Sequence, residues 1–178
     1  MLLDEFNKAD VATAASVTSV WAQIPAWVDA VVAARPYASV DSLAARARAL
    51  TSHWTRADLD AALAHHPRIG QRVTSDGAEA EASRTEQASM ADAESSVTAA
   101  MAAGNAAYEE RFGRVFLIRA AGCTPEEMLG ELRRRLQNDD EAEAIEASGQ
   151  LAEIALLRLR GAISEAAISD GAISDRQG

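Results

Sequence analysis

The sequence predicts an all-α fold, a compact single-domain bundle of about seven to nine helices, on three observations. Apolar residues recur at spacings of three and four almost from end to end, the period of a helix face rather than of a strand. Aromatic residues make up only 4% of the chain against 48% apolar, much of it alanine, and Ala, Leu, Arg and Glu are strong helix formers. Capping signals then punctuate the periodic segments. One domain over residues 1–160 follows, because 178 residues suffice for one core and no shift of composition divides them.

Val11, Ala14, Val17 or Thr18, and Trp21 mark a first amphipathic helix. Pro25 suits the first turn of a second, with Val28, Val31 and Val32 on its buried face. Arg35-Pro36-Tyr37 interrupts the pattern, and Ser39 or Asp41 opens a third helix through Leu43 to Leu50. Thr55-Arg56-Ala57-Asp58 resembles a capping box with Asp in place of Glu or Gln, and starts a helix that Pro67 must stop. The polar stretch Val73 to Ala80, with Gly77, reads as a loop. A long Ala-rich helix is expected from about Ser83 to Ala103 with Gly104 as its cap, then a shorter one from Asn105 to Phe112 ending at Gly113. Periodicity assigns Val115-Phe116-Leu117-Ile118 neither to buried helix nor to extended chain. Thr124-Pro125-Glu126-Glu127 combines a cap, a first-turn proline and a glutamate at the third position, for a helix to about Gln137. Asp139-Asp140 opens the last long helix, to about Arg160. Ala-Ile-Ser then recurs from Ala162 at a spacing that fits neither period, so residues 161–178 are expected to fray.

The formal charge of −10 argues against a nucleic-acid surface, which needs clustered positive charge. The local run Arg133-Arg134-Arg135 suits the end of a helix, where cations meet the negative pole of the dipole. Cys123 stands alone, which leaves no internal disulfide and suits a reducing, cytoplasmic location. No apolar stretch approaches the ~20 residues that span a bilayer, Asp4 and Glu5 do not begin a secretory signal, and the C-terminus is no peroxisomal address. Lys8 is the only lysine. A lone lysine near the terminus argues against Schiff-base and pyridoxal chemistry, and there is no Gly-x-x-x-x-Gly-Lys loop for nucleotide phosphates.

Four places carry candidate chemistry. His66 precedes Pro67, which biases it toward an extended conformation off the end of a helix, as a positioned acid or base requires. Taken alone, such a histidine is more often a cap or a packed side chain. Its neighbours His65 and His53 show no metal-ligand spacing. Ser83-Arg84-Thr85-Glu86 reads as a capping box, a structural role for Ser83 and Glu86 that is compatible with an anion bound at a helix N-terminus, where Gln87 adds an amide. Arg158 shares the apolar face of Leu151, Ile154 and Ala155, and buried arginine needs a partner, either an internal carboxylate or that of a substrate. Asn105, Tyr108 and Phe112 share a helix face whose default role is packing.

Four motifs in order, His66-Pro67-Arg68-Ile69-Gly70, Ser83-Arg84-Thr85-Glu86-Gln87, Asn105-Ala106-Ala107-Tyr108-Glu109-Glu110-Arg111-Phe112-Gly113 and Arg158-Leu159, resemble the OHCU decarboxylase family of urate degradation, from about Phe6 to Leu159. OHCU is 2-oxo-4-hydroxy-4-carboxy-5-ureidoimidazoline. The resemblance implies a cofactor-free, all-helical, generally dimeric enzyme that removes CO2 from this small molecule and releases (S)-allantoin, with no nucleic acid or membrane as partner. It implies that His66 is the proton donor, with Pro67 beside it, and that Ser83, Glu86 and Gln87 contact substrate, Glu86 sharing the proton chemistry. It further implies backbone contacts from Leu117, Ile118 and Arg119, and a clamp from Arg158. The chain departs from the family's common pattern at Val115, where a proline often stands, and at Ala121, where an arginine often does. Two other readings are a helical ureide-binding module without catalysis and a metal-dependent hydrolase of the same pathway.

Overall fold

A computed structural model describes residues 1–64, 66–71 and 77–165. Among them are nine α-helices, α1 (Leu3–Lys8), α2 (Val11–Trp21), α3 (Pro25–Ala33), α4 (Val40–Leu50), α5 (Arg56–Leu63), α6 (Ala78–Glu86), α7 (Ser95–Phe112), α8 (Pro125–Arg135) and α9 (Asp140–Ala162). Two short 3-10 turns, Thr51–His53 and Ala88–Asp92, join them. The all-α expectation holds, and no helix in the described residues is long and apolar enough to cross a membrane.

Local chemistry accounts for most of the helix starts. Asp10, Ser39, Thr55, Thr124 and Asp139 each accept the N–H three residues on, satisfying a donor that the helix itself cannot. On α2 the buried stripe is Ala14, Thr18 and Trp21, with Val11 exposed; the Thr18 hydroxyl is buried because it donates to the Ala14 carbonyl at 2.8 Å. α1 lies ahead of the expected first helix and is held by Leu3 and Phe6, which reach the core.

The expected helix from Ser83 to Ala103 is not formed. The chain makes α6, a 3-10 turn, and extended backbone at Ala93 and Glu94 before α7 begins at Ser95. Met90 is buried at this corner, so packing overrides the helix propensity of the alanines. Gly104 consequently lies inside α7 and caps nothing; a Cβ there would stand 2.5 Å from Leu132 Cδ2, so its role is to let α7 and α8 approach. Gly113, at φ +68°, is the cap.

Two apolar clusters form the core. One unites α1–α5 with α9; the other unites α7 and α8 with Ile69 and Met90. The segment from Val115 to Ile118 runs between them without helical structure, placing Leu117 in the first cluster and Phe116 and Ile118 in the second.

Two expectations at the surface change. Arg135, the third residue of the basic run, is 1% exposed and pairs with the fully buried Glu143 of α9. The tail beyond Arg160 starts packed: α9 continues to Ala162, Ile163 is buried, and Ser164 forms a parallel bridge with Leu2. Glu165 accepts the Val40 N–H at 2.6 Å. Residues 166–178, with most of the Ala-Ile-Ser repeats, lie outside the described residues, as does His65.

Candidate active site

His66 sits one turn beyond α5, its N–H bonded to the Leu63 carbonyl at 3.1 Å. The proline after it ends the helical path. Burial of the imidazole, then the positive charge of Arg158, push its pKa down to about 4, and only the Ala62 carbonyl acts the other way. The imidazole is therefore neutral at pH 7, and Arg158, from the far end of the chain, is its electrostatic neighbour.

The loop that carries His66 and Pro67 is held from α6 and α7. Asn105 Nδ2 donates to the Ile69 carbonyl at 2.9 Å, and Arg68 Nη2 donates to Glu109 Oε2 at 2.7 Å. Gly70, at φ +80°, donates its N–H to Gln87 Oε1 at 3.2 Å. Asn105 and Glu109 thus position the loop, for Asn105 a role beyond the packing that its helical face suggested.

Arg158 meets α6 across this space. Its Nε donates to Glu86 Oε1 at 2.7 Å and its Nη2 to Glu86 Oε2 at 2.9 Å, a bidentate pair. Nη2 also reaches the buried Ser83 Oγ at 3.3 Å, and Nη1 the Val20 carbonyl at 3.1 Å. The arginine on an apolar stripe has its internal carboxylate. Ser83, Glu86 and Gln87 occupy the C-terminal end of α6, not its start, so the capping box does not form. The helix dipole there is negative and does not welcome an anion, which leaves positive charge in the site to Arg158. A cavity of about 750 Å³ adjoins the pair, lined by Val20, Trp21, Ala121 and Leu157 as well as Glu86 and Arg158.

Leu117, Ile118 and Arg119 lie in the segment between the clusters. The Leu117 carbonyl accepts from Arg135 Nη1 at 2.6 Å, and the Arg119 N–H donates to Gln150 Oε1 at 2.8 Å. The exposed Arg119 side chain lines a separate groove with Arg48, Glu153 and Arg160, so it is Arg119's backbone that belongs with this segment. The structure thus gathers His66, Ser83, Glu86 and Arg158 around one charge pair, ties Gln87 to the loop of His66 through Gly70, and shows what anchors Leu117 and Arg119.

Arg135 and Glu143 were missed in the sequence. The signal was present: Arg135 continues the Met128 and Leu132 face of α8, and Glu143 continues the Ala147, Leu151 and Ile154 face of α9. Among the described residues no group of three or more His, Cys, Asp or Glu could hold a metal, and Lys8 is exposed and paired with Asp4 at 2.6 Å.

The sequence matches the OHCU decarboxylase family over residues 7–160. No curated protein matches it. A crystal structure of OHCU decarboxylase in the presence of (S)-allantoin is similar with a TM-score of 0.68 and 23% identity, covering 80% of this chain and 94% of that one. A crystal structure of (S)-allantoin synthase is similar with a TM-score of 0.68 and 19% identity, covering 92% of this chain but 54% of that one, so the chain spans about half its length. At these identities the likeness to the two structures is one of fold.

Proposed function

The chain belongs to the OHCU decarboxylase family, whose role is in urate degradation, and from that premise we propose that it converts OHCU to (S)-allantoin without a cofactor, with His66 as the proton donor. The observation that supports the reading is the bidentate Arg158–Glu86 pair, with Ser83 bonded to it and His66 within reach of the Arg158 charge, residues that come from three of the four family motifs.

Loss of CO2 from a carbon bearing a hydroxyl group and a ring nitrogen leaves an electron pair that the adjacent imine or carbonyl of the substrate accepts. The protein has to place the carboxylate, stabilise the charge that develops, and protonate one face. Arg158 takes the anionic group, sharing its guanidinium between substrate and Glu86. A carboxylate seated there offsets the Arg158 charge, the smaller, after burial, of the two causes that lower the His66 pKa, and so raises the imidazole's affinity for the proton it delivers. That proton passes to carbon after CO2 departs, and solvent reprotonates the imidazole. Glu86 and Gln87 bond the hydroxyl side of the substrate, Pro67 forms part of the wall, and the segment Leu117, Ile118 and Arg119 supplies backbone contacts to the planar ring or ureido group.

The test is chiral. OHCU generated freshly from urate is mixed with the protein and followed by circular dichroism. Rapid appearance of an (S)-allantoin signal, lost in His66→Ala with the fold intact, is the expected result. Decay no faster than in buffer, to racemic product, would overturn the decarboxylase reading and leave a ureide-binding module; near-normal turnover by His66→Ala would remove the proton-donor role. The proposal extends to a cytoplasmic homodimer, for which sedimentation should give twice the 18.8 kDa of one chain.

A further inference from the structure

The segment from Arg114 to Ala121 has no helix or sheet to fix its course, yet side chains from other elements hold the Arg114 side chain and two of the segment's peptide groups. Arg114 pairs with Asp60 at 2.9 Å, Arg135 takes the Leu117 carbonyl, and Gln150 takes the Arg119 N–H. Arg135 is itself held. Its guanidinium bonds Glu143, lies 4.8 Å over the Phe116 ring, and reaches the Tyr108 hydroxyl at 3.4 Å, while Tyr108 donates to Glu143. Burial and the Glu143 carboxylate hold the Tyr108 phenol above its ordinary pKa, so it stays a donor. A buried arginine–glutamate pair is weak evidence for stability, because apolar residues of like volume often serve as well. A charge network placed against one backbone carbonyl calls for a different reason.

Peptide geometry supplies it. In a trans peptide unit the N–H points opposite to the C=O. Holding the Leu117 carbonyl toward Arg135 therefore turns the Ile118 N–H away from Arg135. Holding the Arg119 N–H toward Gln150 turns the Ile118 carbonyl away from Gln150. Among the described residues neither of these two Ile118 groups has a hydrogen-bond partner, although Ile118 is 8% exposed. Backbone donors and acceptors at buried residues nearly always find one. The Arg119 N–H, by contrast, is a single donor already committed to Gln150.

We propose that Arg135 and Gln150 are positioning residues that orient the peptide units on either side of Ile118, presenting its N–H and C=O as a donor–acceptor pair to the ureido group of the substrate. This rests on the reading of the chain as an OHCU decarboxylase. A ureido group carries its own carbonyl and N–H groups, the complement of such a pair. Of the three residues in the segment, Ile118 makes the contact and its neighbours set its direction.

The test uses the full chain, labelled with 15N. Gln150 is half-buried on α9, where alanine is a good helix former, and Gln150→Glu keeps an acceptor at the same reach. The Arg119 amide should exchange slowly in the wild type, about tenfold faster in Gln150→Ala, as loss of one hydrogen bond implies, and slowly again in Gln150→Glu. The Ile118 amide should exchange freely in the unliganded protein and slow when millimolar (S)-allantoin is added. In steady state Gln150→Ala should raise KM up to about tenfold with kcat little changed, and Gln150→Glu should restore it. Unchanged Arg119 exchange in Gln150→Ala, an Ile118 amide already protected without ligand, or an unmoved KM would each overturn the proposal. A wild type that does not hasten OHCU loss would sink the functional reading instead, and Arg119 exchange in the Gln150 variants would still decide the tether.

Discussion

Lowering the pH from 8 to 5 should destabilise this protein through His66, by an amount that its surroundings fix. The imidazole titrates at about 4 in the fold and near its ordinary 6.5 in the unfolded chain, mainly because burial disfavours the cation and secondly because Arg158 repels it. Between those two values the unfolded chain binds more protons than the folded one. The contribution of neutral His66 is thus complete above pH 6.5 and is lost as pH falls toward 4, by ~1.4 kcal/mol per unit. Integrated from pH 8 to pH 5, the loss is about 2 kcal/mol. Urea unfolding of the wild type and of His66→Asn across this range isolates the residue, since every other group titrates alike in both. The advantage of the wild type over the variant should shrink by that amount as pH falls. Arg158→Met, which removes the smaller cause, should reduce the pH dependence without abolishing it. Parallel stability curves for wild type and His66→Asn, agreeing to within about 0.5 kcal/mol, would refute the buried-neutral account and with it the argument that a bound carboxylate raises the proton affinity of the imidazole.

Removing Arg135 alone should be severe. Arg135→Met leaves Glu143 buried without its cation and should cost about 3–5 kcal/mol in chemical denaturation, whereas Arg135→Met with Glu143→Leu and Tyr108→Phe removes the polar group set together and should regain most of it. Gly104→Ala improves local helix propensity yet should destabilise by about 1–3 kcal/mol, because its Cβ would fall 2.5 Å from Cδ2 of the fully buried Leu132; thermal unfolding decides the sign. Asn105→Ala releases the Ile69 carbonyl and should cost about 1–3 kcal/mol, checked by the same denaturation.

Much of the fold was legible because it is written in short-range chemistry. Caps at Ser39, Thr55, Thr124 and Asp139 act within one turn, and the valine face of α3 is a period of three or four that burial respects. The error at residues 83–103 shows the limit of such signals. Alanine is helical wherever it is not overruled, and nothing within a few residues announces that Met90 will turn into the second cluster and split the run. That split moved Ser83, Glu86 and Gln87 from the start of a helix to the end of one, and reversed the electrostatics assigned to them.

By itself the sequence determined the helical class, most helix starts, the identity of the motif residues, and the fact that an arginine on the apolar stripe of α9 needs a partner. It could not say which partner, because periodicity reports which residues share a face and not which face lies opposite. Tertiary structure alone decided that Arg158 meets Glu86, 72 positions away in the chain. It alone set Arg135 and Gln150 on the peptide groups around Ile118 and brought Arg158 close enough to His66 to help hold it neutral. Charges and backbone dipoles act through space, at distances that only the packed chain defines.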